Sequence, residues 1–247
     1  MKQDQEKDKV GDTNNINDQQ QQQDGDSIPR KGKSKSGKWR PSANPLVKRL
    51  VLSVDPPNWS TVFARPEQPV FIDVGCAKGE VLLQSSVANP GINHLGIDIR
   101  ESLIDTAQRS HKILEIEAKC KVDNVHFMSA NANVNLFNIA KSLPAGSIQK
   151  VSILFPDPWY KKKHAKRRVV NATFVNEIAM VTPVGAKVYI ISDVQELYED
   201  MANHFLSNSA FAKMENTMDA WDIPVSHKQS FYIEIGMPSW RSVLVRV

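Results

Sequence analysis

The residues best suited to chemistry lie in one run, Phe155-Pro156-Asp157-Pro158-Trp159-Tyr160-Lys161-Lys162-Lys163-His164-Ala165-Lys166-Arg167-Arg168. It continues an apolar stretch, Val151-Ser152-Ile153-Leu154-Phe155, that reads as a short buried strand. Proline cannot continue a central ladder, so the strand ends at Pro156. The residue before each proline is expected in an extended conformation, which stiffens the turn and fixes the direction of the Asp157 carboxylate. An aromatic ring and a dense basic run follow. An aimed carboxylate beside a flat ring and a cationic patch suits a nucleobase carried on a phosphate backbone. For the basic residues alone the competing reading is a solvated surface loop.

The elements that must position this run alternate between strand and helix. Val70 to Val74 reads as a strand, Gly75-Cys76-Ala77-Lys78-Gly79 as a tight turn, and Glu80 to Ala88 as a helix with apolar spacing through Val81, Leu82, Leu83 and Val87. Strand, glycine turn and helix open a Rossmann-like unit. A second strand, Leu95 to Ile99, carries Asp98 roughly 25 positions after Asp73, near the distance at which such folds place a ribose-reading acid. A helix over 101–119 follows, with Leu103, Ile104, Ala107, Leu114 and Ala118 on one face. A third strand at 125–128 leads to Asn131-Ala132, then a short helix over 136–143 precedes the central strand at 151–155. Beyond it come a helix over 171–181, a strand at 186–191 ending in Ser192-Asp193, and a helix over 194–206. The stretch to Pro224 has no clear period, and 243–247 reads as a final edge strand. The fold class is α/β, Rossmann-like, with a mostly parallel twisted sheet flanked by helices.

Composition bounds the rest. The chain has 247 residues, 41% hydrophobic and 23% charged, with a net charge of +4. Residues 1–38 hold few apolar side chains and include the glutamines at 19–23, so this polar tail is expected to be disordered. Its second half, residues 30–38, is basic: an arm touching nucleic acid, a targeting feature or a solvated leader. Roughly 200 residues remain from Trp39 onward, enough for one well-cored domain over 39–247. Two cysteines, Cys76 and Cys120, make neither a disulfide framework nor a zinc pattern, which suits a reducing compartment and leaves no expected metal site. No apolar run is long enough to span a bilayer, and the N-terminus has no signal-peptide core. The expected location is intracellular and soluble, in the cytoplasm or a plastid.

The glycine turn addresses the cofactor. A dinucleotide fingerprint needs Gly-x-Gly-x-x-Gly, and Asp73-x-Gly75-x-Ala77-x-Gly79 fails that spacing. It resembles the acidic-x-Gly-x-Gly-x-Gly turn of class I S-adenosylmethionine-dependent methyltransferases, with Ala77 at the middle glycine. A methyl group there is expected to be tolerated only with a negative φ.

From about Arg40 onward the chain resembles the tRNA (guanine-N7)-methyltransferase family. The resemblance rests most on Phe155-Pro156-Asp157-Pro158-Trp159 with Lys161-Lys162-Lys163-His164 and Lys166-Arg167-Arg168-Val169-Val170. Cyanobacterial and plastid-lineage members are similar in Asn131-Ala132-Asn133-Val134 and Ser192-Asp193-Val194. The resemblance implies transfer of a methyl group from S-adenosylmethionine to N7 of a guanine in the variable loop of tRNA. It implies a cofactor site of Asp73, Gly75, Gly79, Asp98, Asn131 and Ala132, with Asp157 as the catalytic-site acid. Substrate contacts are implied at Lys161, Asp193, Ser226 and Gln229, the last two standing where the family has Thr-x-x-Glu. Lys162, Lys163, Lys166, Arg167 and Arg168 would meet RNA phosphates, some of them instead holding the loop by salt bridges. Trp159 stacks on a base or packs under the loop. Some eukaryotic relatives need a β-propeller partner subunit; the cyanobacterial likeness implies a monomer or homodimer acting alone. The rival readings are a methyltransferase of exocyclic amines, a non-catalytic RNA-binding module on the same fold, and an NAD-dependent enzyme, which the glycine spacing disfavours.

Overall fold

The computed structural model describes residues 43–247. The tail expected over 1–38, and the expected domain start at 39, lie outside the described residues. A short helix α1 (Trp59–Val62) leads into β1 (Val70–Val74), α2 (Glu80–Ala88), β2 (Asn93–Asp98), α3 (Glu101–Ala118), β3 (Val125–Ser129), α4 (Ala132–Lys141) and β4 (Ile148–Leu154). Then follow α5 (Ala172–Val181), β5 (Lys187–Ser192), α6 (Gln195–Leu206), β6 (Phe211–Lys213), α7 (Thr217–Ala220), α8 (His227–Glu234) and β7 (Trp240–Arg246). Two 3-10 segments, Lys48–Leu50 and Lys162–Arg167, interrupt the loops.

The sheet has seven strands in the order β3-β2-β1-β4-β5-β7-β6. Strands β1 to β5 pair in parallel, and β7 runs antiparallel to both β5 and β6. Parallel strands must be covered on both faces, and their sequences show it. Val70, Ile72 and Val74 of β1 join one core with Val151, Ile153, Val188 and Ile190. Phe71 and Tyr189 point into a second core with Leu82, Ile104 and Phe127. Each fully buried Leu, Ile or Phe contributes roughly 1.5–3 kcal/mol, so burial on the two sheet faces, more than helix propensity, holds the layers.

Three expectations change. The final strand is not an edge: β7 is an interior strand, with Ser242, Val243 and Leu244 at 0% exposure, and the edges are β3 and β6. A run of apolar residues announces a strand but not its place in the order. The last turns of α3 run past the sheet, so Ala118 is exposed while Leu103, Ile104 and Ala107 are buried. The loop expected around Asn58-Trp59 holds α1, capped where the Ser60 N–H donates to Asn58 Oδ1 at 3.2 Å.

Chain connections leave β1 in opposite directions, to β2 on one side and past it to β4 on the other. In open α/β sheets a crevice forms outside the carboxyl ends of the strands at such a switch point.

Candidate functional site

A cleft of about 740 Å³, counting the space open to solvent at its mouth, lies at that switch point. Its walls come from the ends of four strands: Gly75 after β1, Asp98 at the end of β2, Asn131 after β3, and Phe155 with Asp157 after β4. Ala43 and Pro45 of the segment before α1 complete it.

The β1 turn is built from left-handed residues. Gly75 has φ +83°, and a Cβ there would meet no heavy atom within 4 Å, so the backbone presents an open face to the cleft. Gly79, at φ +75°, caps α2, and a Cβ there would lie 2.4 Å from the Phe127 ring. Ala77 corrects an expectation: its φ is +51°, not negative. A non-glycine residue in that region is strained by roughly 1–2 kcal/mol. What holds it is an anchor from the neighbouring strand, since the Ala77 N–H donates to Asp98 Oδ2 at 3.0 Å.

Asp73 lies under this turn, 3% exposed, and does not line the cleft. Burial pushes its carboxyl up to about 7, against the Ser152 hydrogen bond that lowers it and with the Asp98 charge adding to the rise. Asp98 does line the cleft. Its Oδ1 accepts from the Arg100 backbone N–H (2.8 Å) and Nε (3.2 Å). Arg100 also lines the cleft; against the cost of burial, its hydrogen bond to Asp98 and the charge of Asp98, with a smaller contribution from Asp157, hold its guanidinium protonated. A cation two residues after a strand-end acid was the available sequence signal for Arg100, which the motif-based reading missed.

Asn131 caps α4, its Oδ1 accepting from Asn133 N–H at 3.1 Å. Its amide nitrogen donates to the carbonyls of Pro45 (3.0 Å) and Leu50 (2.9 Å). One turn on, Asn135 donates to Leu52 O at 3.1 Å and accepts from Val54 N–H at 2.7 Å. The two asparagines thereby strap residues 45–54 along the rim of the cleft.

The loop after β4 corrects a second expectation. Phe155, the residue before Pro156, is not extended but left-handed at φ +51°, and Trp159 beyond Pro158 is left-handed at φ +44°. Two strained aromatic residues flank Asp157. Phe155 N–H is held by Ile191 O at 2.9 Å. The Trp159 ring packs within the loop, with the Arg167 guanidinium 4.8 Å from its centroid and His164 edge-on at 5.9 Å. Asp157, Trp159 and Arg167 line the cleft. Arg168 turns inward, its side chain 10% exposed: it donates to Pro158 O (3.0 Å), Asp200 (3.0 Å) and Glu196 (3.3 Å). The structure therefore gives Arg168 the loop-holding role rather than a phosphate-facing one. Lys161, Lys162, Lys163 and Lys166 are exposed beside it.

Asp193 stands outside the cleft lining, as do Lys161, Ser226, Gln229 and Gly79. Its carboxylate is 6% exposed and accepts from Lys228 Nζ at 2.9 Å and Tyr232 Oη at 2.8 Å, both on α8. Ser226 caps α8 by accepting from Gln229 N–H at 3.2 Å, and Gln229 is 2% exposed. Ser226-x-x-Gln229 has the spacing of a capping box, the signal that would have announced this helix, together with Lys228 and Tyr232, from sequence.

A family described as "Putative methyltransferase" matches residues 67–232. A tRNA (guanine-N7)-methyltransferase of Synechococcus elongatus is 36% identical over 212 residues, covering 84% of this chain and 95% of the relative. Its counterpart in Trichormus variabilis is 34% identical over 211 residues, with the same coverage. Among solved structures, the 16S rRNA methyltransferase KamB superposes with a TM-score of 0.50 at 12% identity, covering 76% of this chain and 90% of that one, a likeness of fold.

Proposed function

The chain belongs to the tRNA (guanine-N7)-methyltransferase family, and on that footing we propose which of its residues do the work. The enzyme transfers a methyl group from S-adenosylmethionine to N7 of a guanine in tRNA, giving N7-methylguanine and S-adenosylhomocysteine. The observation that carries the assignment of residues is the convergence of Asp98, Asn131 and Asp157 on one cleft at the switch point of the sheet.

The residues fit the cofactor. The open face of Gly75 admits its amino-acid end close to the backbone, and Asp98 at the end of β2 stands where ribose hydroxyls are read. Asn131 and Ala132 form the adenine wall, with Pro45 of the strap hydrogen-bonded beside them. When bound, S-adenosylmethionine supplies an electrophilic methyl group on a sulfonium, which the exposed lone pair of guanine N7 accepts without prior deprotonation. No histidine is needed as a base. The chain's work is alignment and charge compensation. Asp157 accepts from the N1–H and N2–H₂ edge of the guanine, orienting the base and offsetting the positive charge that develops on the purine. Asp193 and Lys161 support the substrate from the neighbouring strand end and the basic loop. Lys162, Lys163 and Lys166 bind tRNA phosphates as exposed cations. The target is a variable-loop guanine, and the protein acts without a partner subunit, in keeping with its likeness to cyanobacterial proteins. Cys76 and Cys120 are free thiols, in keeping with a reducing intracellular compartment.

The test is transfer from labelled S-adenosylmethionine to unmodified tRNA transcripts, with N7-methylguanine mapped by chemical cleavage. One modified guanine in the variable loop, lost in Asp157→Asn while tRNA still binds, is the expected result. An active Asp157→Asn enzyme would overturn the role given to Asp157.

A further inference from the structure

The helix α8 reaches the Asp157 loop through a cluster of side chains around Asp193. Lys228 and Tyr232, four residues apart, lie on one face of α8. Both donate to Asp193, at 2.9 and 2.8 Å. Thus oriented, the Tyr232 ring stacks on Phe155 with centroids 6.0 Å apart and planes 16° from parallel. The Lys228 ammonium sits 4.3 Å from the Phe155 centroid and 5.4 Å from that of Tyr232. Phe155 is the left-handed residue that launches Pro156-Asp157. A phenylalanine at φ +51° persists only where its surroundings over-determine it. Here the constraints are the Ile191 carbonyl on its N–H, the Tyr232 ring and the Lys228 cation.

We propose that Lys228 and Tyr232 are positioning residues for methyl transfer: anchored on Asp193, they seat Phe155 in its strained conformation and thereby fix where the Asp157 carboxylate points. The proposal rests on the reading of Asp157 given above and adds to it two residues outside the cleft. Asp193 then serves the reaction through α8, whatever else it contacts. The clamp joins β5, α8 and the β4 exit, so a displacement at α8 reaches the reacting atoms without altering the cofactor walls. A guanine displaced by a fraction of an ångström from attack geometry loses rate, not affinity.

The experiment compares wild type with Lys228→Met, Tyr232→Phe and Lys228→Arg in steady-state methyl transfer to an unmodified tRNA transcript, with cofactor affinity measured by calorimetry. The expected result for Lys228→Met and Tyr232→Phe is a fall in kcat of about 10- to 100-fold. The KM for tRNA and the Kd for S-adenosylmethionine should stay within about threefold of wild type, because uniform binding is untouched. Lys228→Arg, which keeps the cation on the ring and the bond to Asp193, should recover most of the rate. Because the clamp acts through Phe155, Phe155→Leu combined with Lys228→Met should lose no more than the worse single variant. Tyr232→Phe keeps the stacked ring and removes one oxygen, so it carries the test if Lys228→Met does not fold. An unchanged kcat, a loss confined to the KM for tRNA, or additive losses with Phe155→Leu would overturn the proposal while leaving the reading of Asp157 intact. A wild-type enzyme without transfer to tRNA would overturn the reading and the clamp with it.

Discussion

Ser152 stands directly across the β1–β4 ladder from Asp73, and its hydroxyl donates to Asp73 Oδ1 at 2.6 Å. Burial raises the Asp73 carboxyl from 3.8 to about 7. A carboxyl raised in the folded state favours folding while protonated, and that contribution is lost as pH climbs from about 4 through 7. His94 works in the opposite sense. It is fully buried between Ser85 Oγ (2.9 Å) and Asn124 O (3.2 Å), and desolvation lowers it from 6.5 to about 4. Stability from neutral His94 is present above 6.5 and lost as pH falls toward 4. Between pH 4 and 6.5 the two slopes oppose. Asp73→Asn should therefore leave stability rising with pH across that window, and His94→Gln should leave it falling, each by an amount on the order of 1–4 kcal/mol. Urea denaturation at half-unit pH intervals reads both. Ser152→Ala removes the hydrogen bond that lowers Asp73, so its titration, followed by carboxyl NMR, should move above 7.

Two left-handed positions in the turn before α2, Ala77 and Gly79, predict opposite outcomes. Gly79→Ala places a methyl group 2.4 Å from the Phe127 ring at φ +75° and should destabilise the domain by roughly 2–4 kcal/mol. Ala77→Gly relieves an alanine at φ +51° and should be neutral or stabilising by up to about 1 kcal/mol. Thermal unfolding of the two variants distinguishes them, and a stabilised Gly79→Ala would contradict the packing described.

The first half of the sheet was legible because its signals are local. Glycines bracket the β1–α2 turn, and the apolar period places α2 at Glu80–Ala88, as the structure has it. The strand-end acids Asp98 and Asp157 were found because chain order and prolines mark where strands stop. The second half was not legible for physical reasons. Three-residue β6 and four-residue α7 are too short to show a period. In α8, Phe231 and Ile233 are exposed while Gln229 is buried, so its pattern runs against amphipathic expectation. The positive φ of Phe155 and Ala77 has no signature in residue type, since both types disfavour it; tertiary contacts impose it. Nor does a basic run reveal that Arg168 turns inward while its lysine neighbours face solvent.

The strap offers a test that separates anchoring from base reading. Asn135 holds Leu52 and Val54 without lining the cleft. Asn135→Ala should loosen residues 45–54, seen as faster proteolysis there, and weaken S-adenosylmethionine binding by roughly 1–2 kcal/mol, near tenfold. Unchanged cofactor affinity with a loosened strap would confine the adenine wall to Asn131 and Ala132.

The basic loop divides into two kinds of residue. Replacing Lys162, Lys163 and Lys166 together by Gln should reduce the salt slope of tRNA binding by up to about 2–3 units and leave thermal stability unchanged. Arg168→Gln should do the reverse. It breaks ties to Pro158 O, Asp200 and Glu196, so it should lower stability by about 1–3 kcal/mol and leave the salt slope near wild type. Filter binding over a salt series, paired with calorimetric unfolding, checks both.

The interior place of β7 sets an order of assembly. Strands β1 to β5 can align as a parallel set as soon as residue 192 is made, but β5 then presents a bare edge bearing Val188 and Ile190. Among the described residues β6 has no strand neighbour except β7, so three residues wait for a partner encoded some thirty positions later. Residues 240–246 must thread between the two and pair with both. Pairings of such long sequence separation form late and slowly. During that interval the naked edge of β5 can template strands from other chains. Substitutions in β7 should therefore show themselves first as poor yield and aggregation during synthesis, before any loss of activity in the molecules that do mature.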